Sequence, residues 1–271
     1  EDYVETVFTA STHDSILFFT NLGKVYVRKG YRIPEAGRSA RGQNIVNIIP
    51  TDPGEKVSAM IAGRGVTEDN YLVFVTRNGT VKRTAQSAFK NIRSNGIRAL
   101  SLDEGDELIS VLQTTGEDKI LLATHDGMAI CFAETDARAM GRDAVGVRGI
   151  RLREGDYVVG AGIAAEGAAI LSITENGYGK RTPLTEYHAQ VRGGKGVLTL
   201  KVSDKTGHVT SALVVRGSED LMVISREGTL IRTSVSDISV LSRATQGVKV
   251  MRLDEGDTVI DTARFVDEND D

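Results

Sequence analysis

The chain has 271 residues, with 33 Lys and Arg against 37 Asp and Glu for a net charge of −4, and it carries 29 glycines, four prolines, no Trp and one cysteine. This composition suits a folded, turn-rich all-β protein and excludes disorder over most of the length. No apolar run approaches the roughly 20 residues that a membrane-spanning helix needs, and the lone Cys131, inside the apolar stretch Met128 to Phe132, excludes an internal disulfide and favours a reducing, cytoplasmic setting.

In chain order, the opening Glu1-Asp2-Tyr3 has neither an initiator Met nor a secretory signal. Asp2-Tyr3-Val4 reads like Asp156-Tyr157-Val158, the start of a repeat's final strand, so residues 1–10 are expected to be the remnant strand of an upstream repeat and the chain an internal fragment. Five segments then share an apolar strand, a Thr/Ser-x-x-Gly turn and a second strand: Thr20 to Gly23, Thr76 to Gly79, Thr124 to Gly127, Thr174 to Gly177 and Ser225 to Gly228. The turn glycines lie 56, 48, 50 and 51 residues apart, a period that decides the architecture before any local reading does. Asn-Gly and Asp-Gly at these turns predict two-residue hairpin connections, whose central positions both take positive φ.

A second glycine follows each turn glycine, at Gly42, Gly96, Gly146, Gly196 and Gly247, and an arginine stands shortly before each: Arg38, Arg93, Arg142, Arg192 and Arg243. A third strand comes next, then an acidic turn such as Asp103 to Asp106, Arg153 to Asp156 or Asp254 to Asp257, then a fourth strand. Four short strands in about 50 residues predict radially repeated four-stranded blades. The expected fold is therefore all-β and propeller-like, one domain over 1–271, with repeats at about 11–62, 68–113, 116–164, 166–215 and 218–266 and an acidic tail at 267–271.

The small net charge conceals a segregated distribution. The windows 24–42, 80–96, 128–146, 178–196 and 229–247, from turn glycine to second glycine, hold 18 Lys and Arg against 6 Asp and Glu, which leaves −16 for the rest of the chain. Window by window the net is +5, +4, −1, +3 and +1, the third being diluted by Glu134, Asp136 and Asp143. Equivalent windows on equivalent blade positions make one positive belt suited to a bent duplex, with the weakest contact expected at the third. An alternative role for the arginines, above all Arg142 and Arg243, is to cap loops by satisfying backbone carbonyls. In the adjacent pairs Lys82-Arg83 and Lys180-Arg181 the two side chains point to opposite faces of a strand, so one of each pair is open to a structural role.

The box Gln190-Val191-Arg192-Gly193-Gly194-Lys195-Gly196 resembles the Gln-basic-Arg-Gly-Gly-basic-Gly box of the DNA gyrase A subunit family. Gly177 to Thr182, Glu186-Tyr187, Thr12-His13-Asp14, Ala139 to Arg142 with Gly146 to Ile150, and Thr245 to Val248 fit the same family, so the likeness covers the whole chain. The departure is Val191, where a basic residue is typical. The resemblance implies a β-pinwheel, in which neighbouring blades exchange strands, with five complete repeats present and a first repeat lying upstream. It implies a non-catalytic C-terminal domain that wraps double-stranded DNA without sequence specificity and gives direction to ATP-dependent negative supercoiling. It places the cleaving tyrosine in the N-terminal breakage-reunion domain of gyrase A and the ATP and Mg sites elsewhere in an A2B2 complex with gyrase B, in the bacterial cytoplasm at the nucleoid. The fragment itself is expected to be monomeric, with no cofactor and no metal of its own.

The candidate DNA-binding set is Arg28, Lys29, Arg32, Arg38 and Arg41 in the first repeat, Lys82, Arg83, Lys90, Arg93 and Arg98 in the second, and Arg142 and Arg148 in the third. The fourth repeat supplies Lys180, Arg181, Gln190, Arg192, Gly193, Gly194, Lys195 and Gly196, and the fifth Arg232 and Arg243. The paired glycines let the backbone approach phosphates while Arg192 and Lys195 supply charge. The four histidines, His13, His125, His188 and His208, show no metal-ligand spacing and read as ordinary surface or loop residues, and acids recurring in equivalent turns, such as Glu104 and Asp106, read as blade design rather than a catalytic pair. The C-terminal domain of topoisomerase IV remains an alternative. A protein-binding propeller is less consistent with a chain that has only 5% aromatic residues and no Trp, and the same scarcity argues against single-strand binding.

Overall fold

The computed structural model describes residues 15–29, 49–63 and 70–265. Among them, the first repeat contributes β1 (Ser15–Thr20), β2 (Lys24–Lys29) and β3 (Val57–Gly63), and the second β4 (Tyr71–Thr76), β5 (Thr80–Ala85), β6 (Ile97–Arg98) and β7 (Leu108–Thr114). The third repeat gives β8 (Lys119–Thr124), β9 (Met128–Ala133), β10 (Val147–Arg148) and β11 (Val158–Ile163), and the fourth β12 (Ala169–Thr174), β13 (Tyr178–Pro183), β14 (Val197–Leu198) and β15 (Val209–Val215). The fifth gives β16 (Asp220–Ser225), β17 (Leu230–Ser234), β18 (Val248–Lys249) and β19 (Val259–Phe265). The only helices among the described residues are single 3-10 turns.

Each blade is built around its first strand, flanked by its second and last strands: β3-β1-β2, β7-β4-β5, β11-β8-β9, β15-β12-β13 and β19-β16-β17. The outermost strand comes from the following repeat. β6 pairs with β2, β14 with β9 and β18 with β13, and β10 takes the same place beside β5. This exchange of a two-residue strand is the pinwheel arrangement expected from the resemblance; the fifth sheet shows three strands among the described residues. The exchange also accounts for how the chain divides into two compact units. One holds the first two blades together with 137–147, the loop and strand residue donated by the third repeat, and the other holds the last three blades.

The first strands do not alternate. From the second residue onward β1, β4, β8 and β12 are buried on every side chain. A strand covered on both faces reads as a continuous apolar run, such as Leu72-Val73-Phe74-Val75. In the first unit Phe19 meets Phe74 and Phe89 edge-to-face within a cluster that also holds Leu17, Leu72 and Leu108. In the second, Leu121, Cys131, Ile170 and Tyr187 form one cluster and Leu171, Leu221, Val235 and Met251 another.

The hairpin turns correct one expectation. Only the glycine takes positive φ, for example +86° at Gly79, and no described non-glycine residue does. The Gly79 amide donates to the Thr76 carbonyl at 3.0 Å, and strand pairing resumes at Val75 with Val81, so the connection is a type I turn closed by a left-handed glycine. Asn78 and Asp126 are therefore placed by other bonds: the amides of Asn78, Asp126 and Glu227 donate to the carboxylates of Asp106, Asp156 and Asp257 at 2.9, 2.9 and 3.0 Å. These recurring acids tie a hairpin turn to the last strand of its own blade, as their recurrence in equivalent turns suggested. At Asp257 burial alone would raise the pKa, but bonds from Ser225 and the amides of Glu227, Thr258 and Arg226 hold the carboxyl below its ordinary range.

Candidate nucleic-acid interface

Among the described residues, the basic windows fall on the second strands and on the loops that run from them to the exchanged strands. Lys82 and Lys180 are 1% and 0% exposed. Lys82 Nζ donates to the carbonyls of Ala99, Gly141 and Arg142 at 2.6, 3.0 and 2.9 Å. Lys180 Nζ donates to the carbonyls of Ser242 and Arg243 at 2.7 and 2.8 Å and to Thr245 Oγ1 at 3.0 Å. An ammonium has three protons and no acceptor, so each lysine is fully satisfied by a loop that it holds. The expectation that these two touch phosphate is corrected: strand alternation sends one of each Lys-Arg pair inward, and it is the lysine. The equivalent residues in the other blades are Tyr26, Ile130 and Ile231.

Burial pushes both ammonium pKa values down to about 8. Arg142 adds to the effect at Lys82 and Asp143 opposes it; Arg243 and Glu186 do the same at Lys180. Because the unfolded chain keeps these protons to the ordinary value of 10.5, it binds more protons than the folded chain above pH 8, and stability rises with pH in that window. The buried Cys131 thiol and the phenols of Tyr26 and Tyr187, all pushed up, work the other way above 9 and 10. The urea midpoint is therefore expected to be higher at pH 9 than at pH 7.5, and the rise is expected to vanish in the Lys82→Met, Lys180→Met double variant. A midpoint that falls over this interval in the parent chain would contradict the burial of the two charges.

The partner arginines face outward but are anchored. Arg83 and Arg181 donate through Nε to the carbonyls of Ala137 and Ile238, each at 2.8 Å, and Arg83 also lies over the Tyr71 ring. Three of the arginines that precede a second glycine repeat one contact: Arg142, Arg192 and Arg243 donate through Nη1 to the carbonyls of Arg98, Arg148 and Leu198 at 3.2, 3.1 and 3.2 Å. Loop capping is thus their structural task, and a guanidinium with five N–H donors keeps others for a ligand. Arg192 spends a second donor on Asp136 O, and Arg28 bonds Val27 O and Ser94 O. Lys29 bonds Ser15 Oγ, and Arg232 is ion-paired with Asp220 at 2.7 Å.

The Gln190 side chain is exposed, while its backbone N–H donates to Cys131 O; the Gly193 amide donates to Gly149 O at 2.7 Å and the Gly194 carbonyl accepts from Arg151 N at 2.8 Å. The Gly193 amide is accordingly committed to the fold rather than presented to a phosphate, a correction to the backbone-approach reading. Lys90, Arg93, Arg98, Arg148 and Lys195 line the surface beside these loops. Arg32, Arg38 and Arg41 lie outside the described residues.

Two basic depressions result, one in each unit. In the first, Lys24, Arg93, Arg98 and Arg142 line about 520 Å3 together with Gly96 and Asp143. In the second, Arg151, Arg153 and Lys195 line about 170 Å3 beside Asp156 and Gly196. Lys24, Arg151 and Arg153 stood outside the candidate set; the signal that finds them is adjacency to the exchanged strand in space. The acids of the weak third window also change meaning, since Glu134 is buried and caps the Asp118 amide at 2.8 Å.

With this geometry in place, the sequence profile described as DNA gyrase C-terminal domain, beta-propeller, matches 14–63, 70–115, 118–165, 169–216 and 219–265, one segment per blade. The chain belongs to the DNA gyrase C-terminal domain family. It is 46% identical over 273 aligned residues to the DNA gyrase A subunit of Staphylococcus epidermidis and 45% identical to that of Staphylococcus aureus; the alignments cover all of this chain and 31% of each relative. The chain thus spans about a third of the length of those relatives. Among solved structures it is similar to a DNA gyrase A C-terminal domain, with a TM-score of 0.82 at 27% identity over 95% of this chain and 84% of that one. It is also similar to a topoisomerase IV C-terminal domain, with a TM-score of 0.84 at 30% identity over 93% and 79%. In this gyrase-family chain the described segments between matched blades, 116–117, 166–168 and 217–218, are connections from one blade to the next. No helix among its described residues is long and apolar enough to cross a membrane.

Proposed function

We propose that the chain binds duplex DNA through the basic loops beside its exchanged strands and bends it without reading base sequence, as the wrapping domain of gyrase A. The observation that carries this reading is the repeated loop in which an arginine, anchored by one bond to the preceding exchanged strand, stands among further cations such as Arg93, Arg98, Arg148 and Lys195. Anchored guanidinium groups contact phosphates at little ordering cost, and phosphate contact supplies affinity without sequence information. In the holoenzyme this reading makes the chain the non-catalytic part of an ATP-dependent, supercoiling A2B2 assembly with gyrase B at the bacterial nucleoid. The wrap sets the direction of strand passage, and the ATP, Mg and cleaving tyrosine belong elsewhere.

The test is affinity for duplexes of about 20 and 100 base pairs across a salt series, with linking number measured after nicked circles are ligated in the presence of the chain. Affinity that falls steeply with salt, prefers the longer duplex and comes with a linking-number shift is expected, because bending 20 to 30 base pairs by 40 to 90° costs about 1–6 kcal/mol and needs many contacts. Lys195→Ala is expected to lower the log–log salt slope by about 0.9 without changing the urea midpoint. Unaltered linking number with salt-independent binding would remove the reading.

A further inference from the structure

The fold brings together two of the histidines that the sequence leaves unrelated. His125 sits in the turn between β8 and β9, and His208 directly precedes β15 of the next blade, where the Val209 amide donates to the His125 carbonyl at 2.9 Å. Their rings stack with centroids 4.2 Å apart and planes 6° from parallel, and Tyr157 stacks on His125 at 4.4 Å. A carboxylate stands at each side of the pair. Asp126 Oδ1 is 3.5 Å from His125 Nδ1 and 3.7 Å from His208 Nε2, while Glu175 Oε1 is 3.5 Å from His125 Nε2 and 3.2 Å from His208 Nδ1.

We propose that His125 Nδ1, Asp126 Oδ1 and His208 Nε2 form a divalent transition-metal site, best matched to Zn2+, that staples the third blade to the fourth. One potential ligand atom from each of the three residues lies within 4.8 Å of the others. Bond lengths of about 2.0–2.1 Å in a tetrahedron put ligand atoms about 3.3 Å apart, close to the 3.5 and 3.7 Å observed. Imidazole with carboxylate suits Zn2+ and excludes an all-oxygen preference such as that of Ca2+.

Two further observations point the same way. His125 Nδ1 is buried and makes no hydrogen bond, an unsatisfied atom turned toward Asp126. Glu175 stands beside the far nitrogens of both rings and is itself fixed by the His208 amide at 2.9 Å. A carboxylate taking the remote N–H of a ligating imidazole sets the tautomer that frees the other nitrogen for metal. Two neutral imidazoles and two carboxylates also balance a dication. The rings have to splay before both lone pairs meet one ion; the terminal His torsion is broad, and the His208 side chain is 48% exposed and has room to turn.

The test is calorimetric titration of Zn2+ alone into the 271-residue chain, with Co2+ absorption as a coordination readout. One ion per chain, visible Co2+ bands of tetrahedral intensity, and a rise in Tm of about 5 °C at a hundredfold excess over Kd are expected. His208→Gln is expected to abolish stoichiometric binding, and Glu175→Gln to weaken it by about 10–100-fold. His188→Gln, at an exposed position outside the cluster, is expected to leave it unchanged. His208 is exposed enough that its variant keeps the fold, which circular dichroism verifies. Zn2+ binding undiminished in His208→Gln, or no binding in the micromolar range, would overturn the proposal; a Tm that follows pH but ignores Zn2+ would assign the cluster to protons instead.

Discussion

Lys180→Ala is expected to lower the stability of the chain by about 3–5 kcal/mol, with Lys82→Ala close behind. The substitution removes three hydrogen bonds at once, leaving the carbonyls of Ser242 and Arg243 and the Thr245 hydroxyl without their shared donor. It also empties the volume of one of the largest fully buried side chains in the molecule. Relief from holding a desolvated cation offsets part of this, which is why the loss stays near that of a large core truncation rather than exceeding it. Lys180→Met keeps the stem and loses only the bonds and the charge, so it is expected to fall between the parent and Lys180→Ala. The measurement is the urea midpoint with the m-value held constant; a loss under about 1 kcal/mol for Lys180→Ala would show that the ammonium is not confined as described. DNA binding separates the roles further. A phosphate-contacting lysine changes the salt slope when removed, whereas Lys180→Ala is expected to weaken binding by loosening the Arg243 loop at an unaltered slope.

The repeat was legible because backbone geometry imposes it: each hairpin needs a left-handed glycine after its turn, and each exchanged strand needs a second glycine before it, so both recur at a fixed spacing. The segregation of charge was equally visible, since it is a count. What the sequence withheld was direction. In Lys82-Arg83 alternation says that one side chain goes inward but not which, and an ammonium that three converging carbonyls can saturate is the cheaper of the two to bury. The two-residue turn reading failed at Asn78 and Asp126 because an Asn-Gly or Asp-Gly pair fits both a double positive-φ turn and a type I turn closed by glycine, and the carboxylates of Asp106 and Asp156 hold the second. His125 and His208 belong to different blades, and their pairing depends on how consecutive blades stack, which no local spacing encodes. Lys24, Arg151 and Arg153 were missed for the same reason: the depressions that they line are walled by neighbouring repeats rather than by one window.

Gly196→Ala is expected to cost about 3–5 kcal/mol and to take the box loop with it. Gly196 holds φ at +77°, where an L-residue is strained, and a Cβ there would lie 2.3 Å from the Ala129 carbonyl oxygen, a backbone atom that cannot swing aside. That contact exists because β14 begins at the next residue and pairs Val197 with Ala129 and Leu198 with Met128. Relieving the clash means withdrawing β14 from β9, which strips the third blade of its exchanged strand and frees the loop that carries Arg192 and Lys195. Gly155 provides the control, since it has the same φ of +77° with nothing within 4 Å of its would-be Cβ. Gly155→Ala therefore carries only the conformational term, about 1 kcal/mol. The difference between the two urea midpoints measures the steric cost of strand exchange itself. Equal losses would mean that the exchanged strand yields without penalty and that the second glycine is there for its torsion alone. A larger loss at Gly196, accompanied by a fall in duplex affinity that Gly155→Ala does not share, ties the glycine that closes each window to the placement of the cations within it.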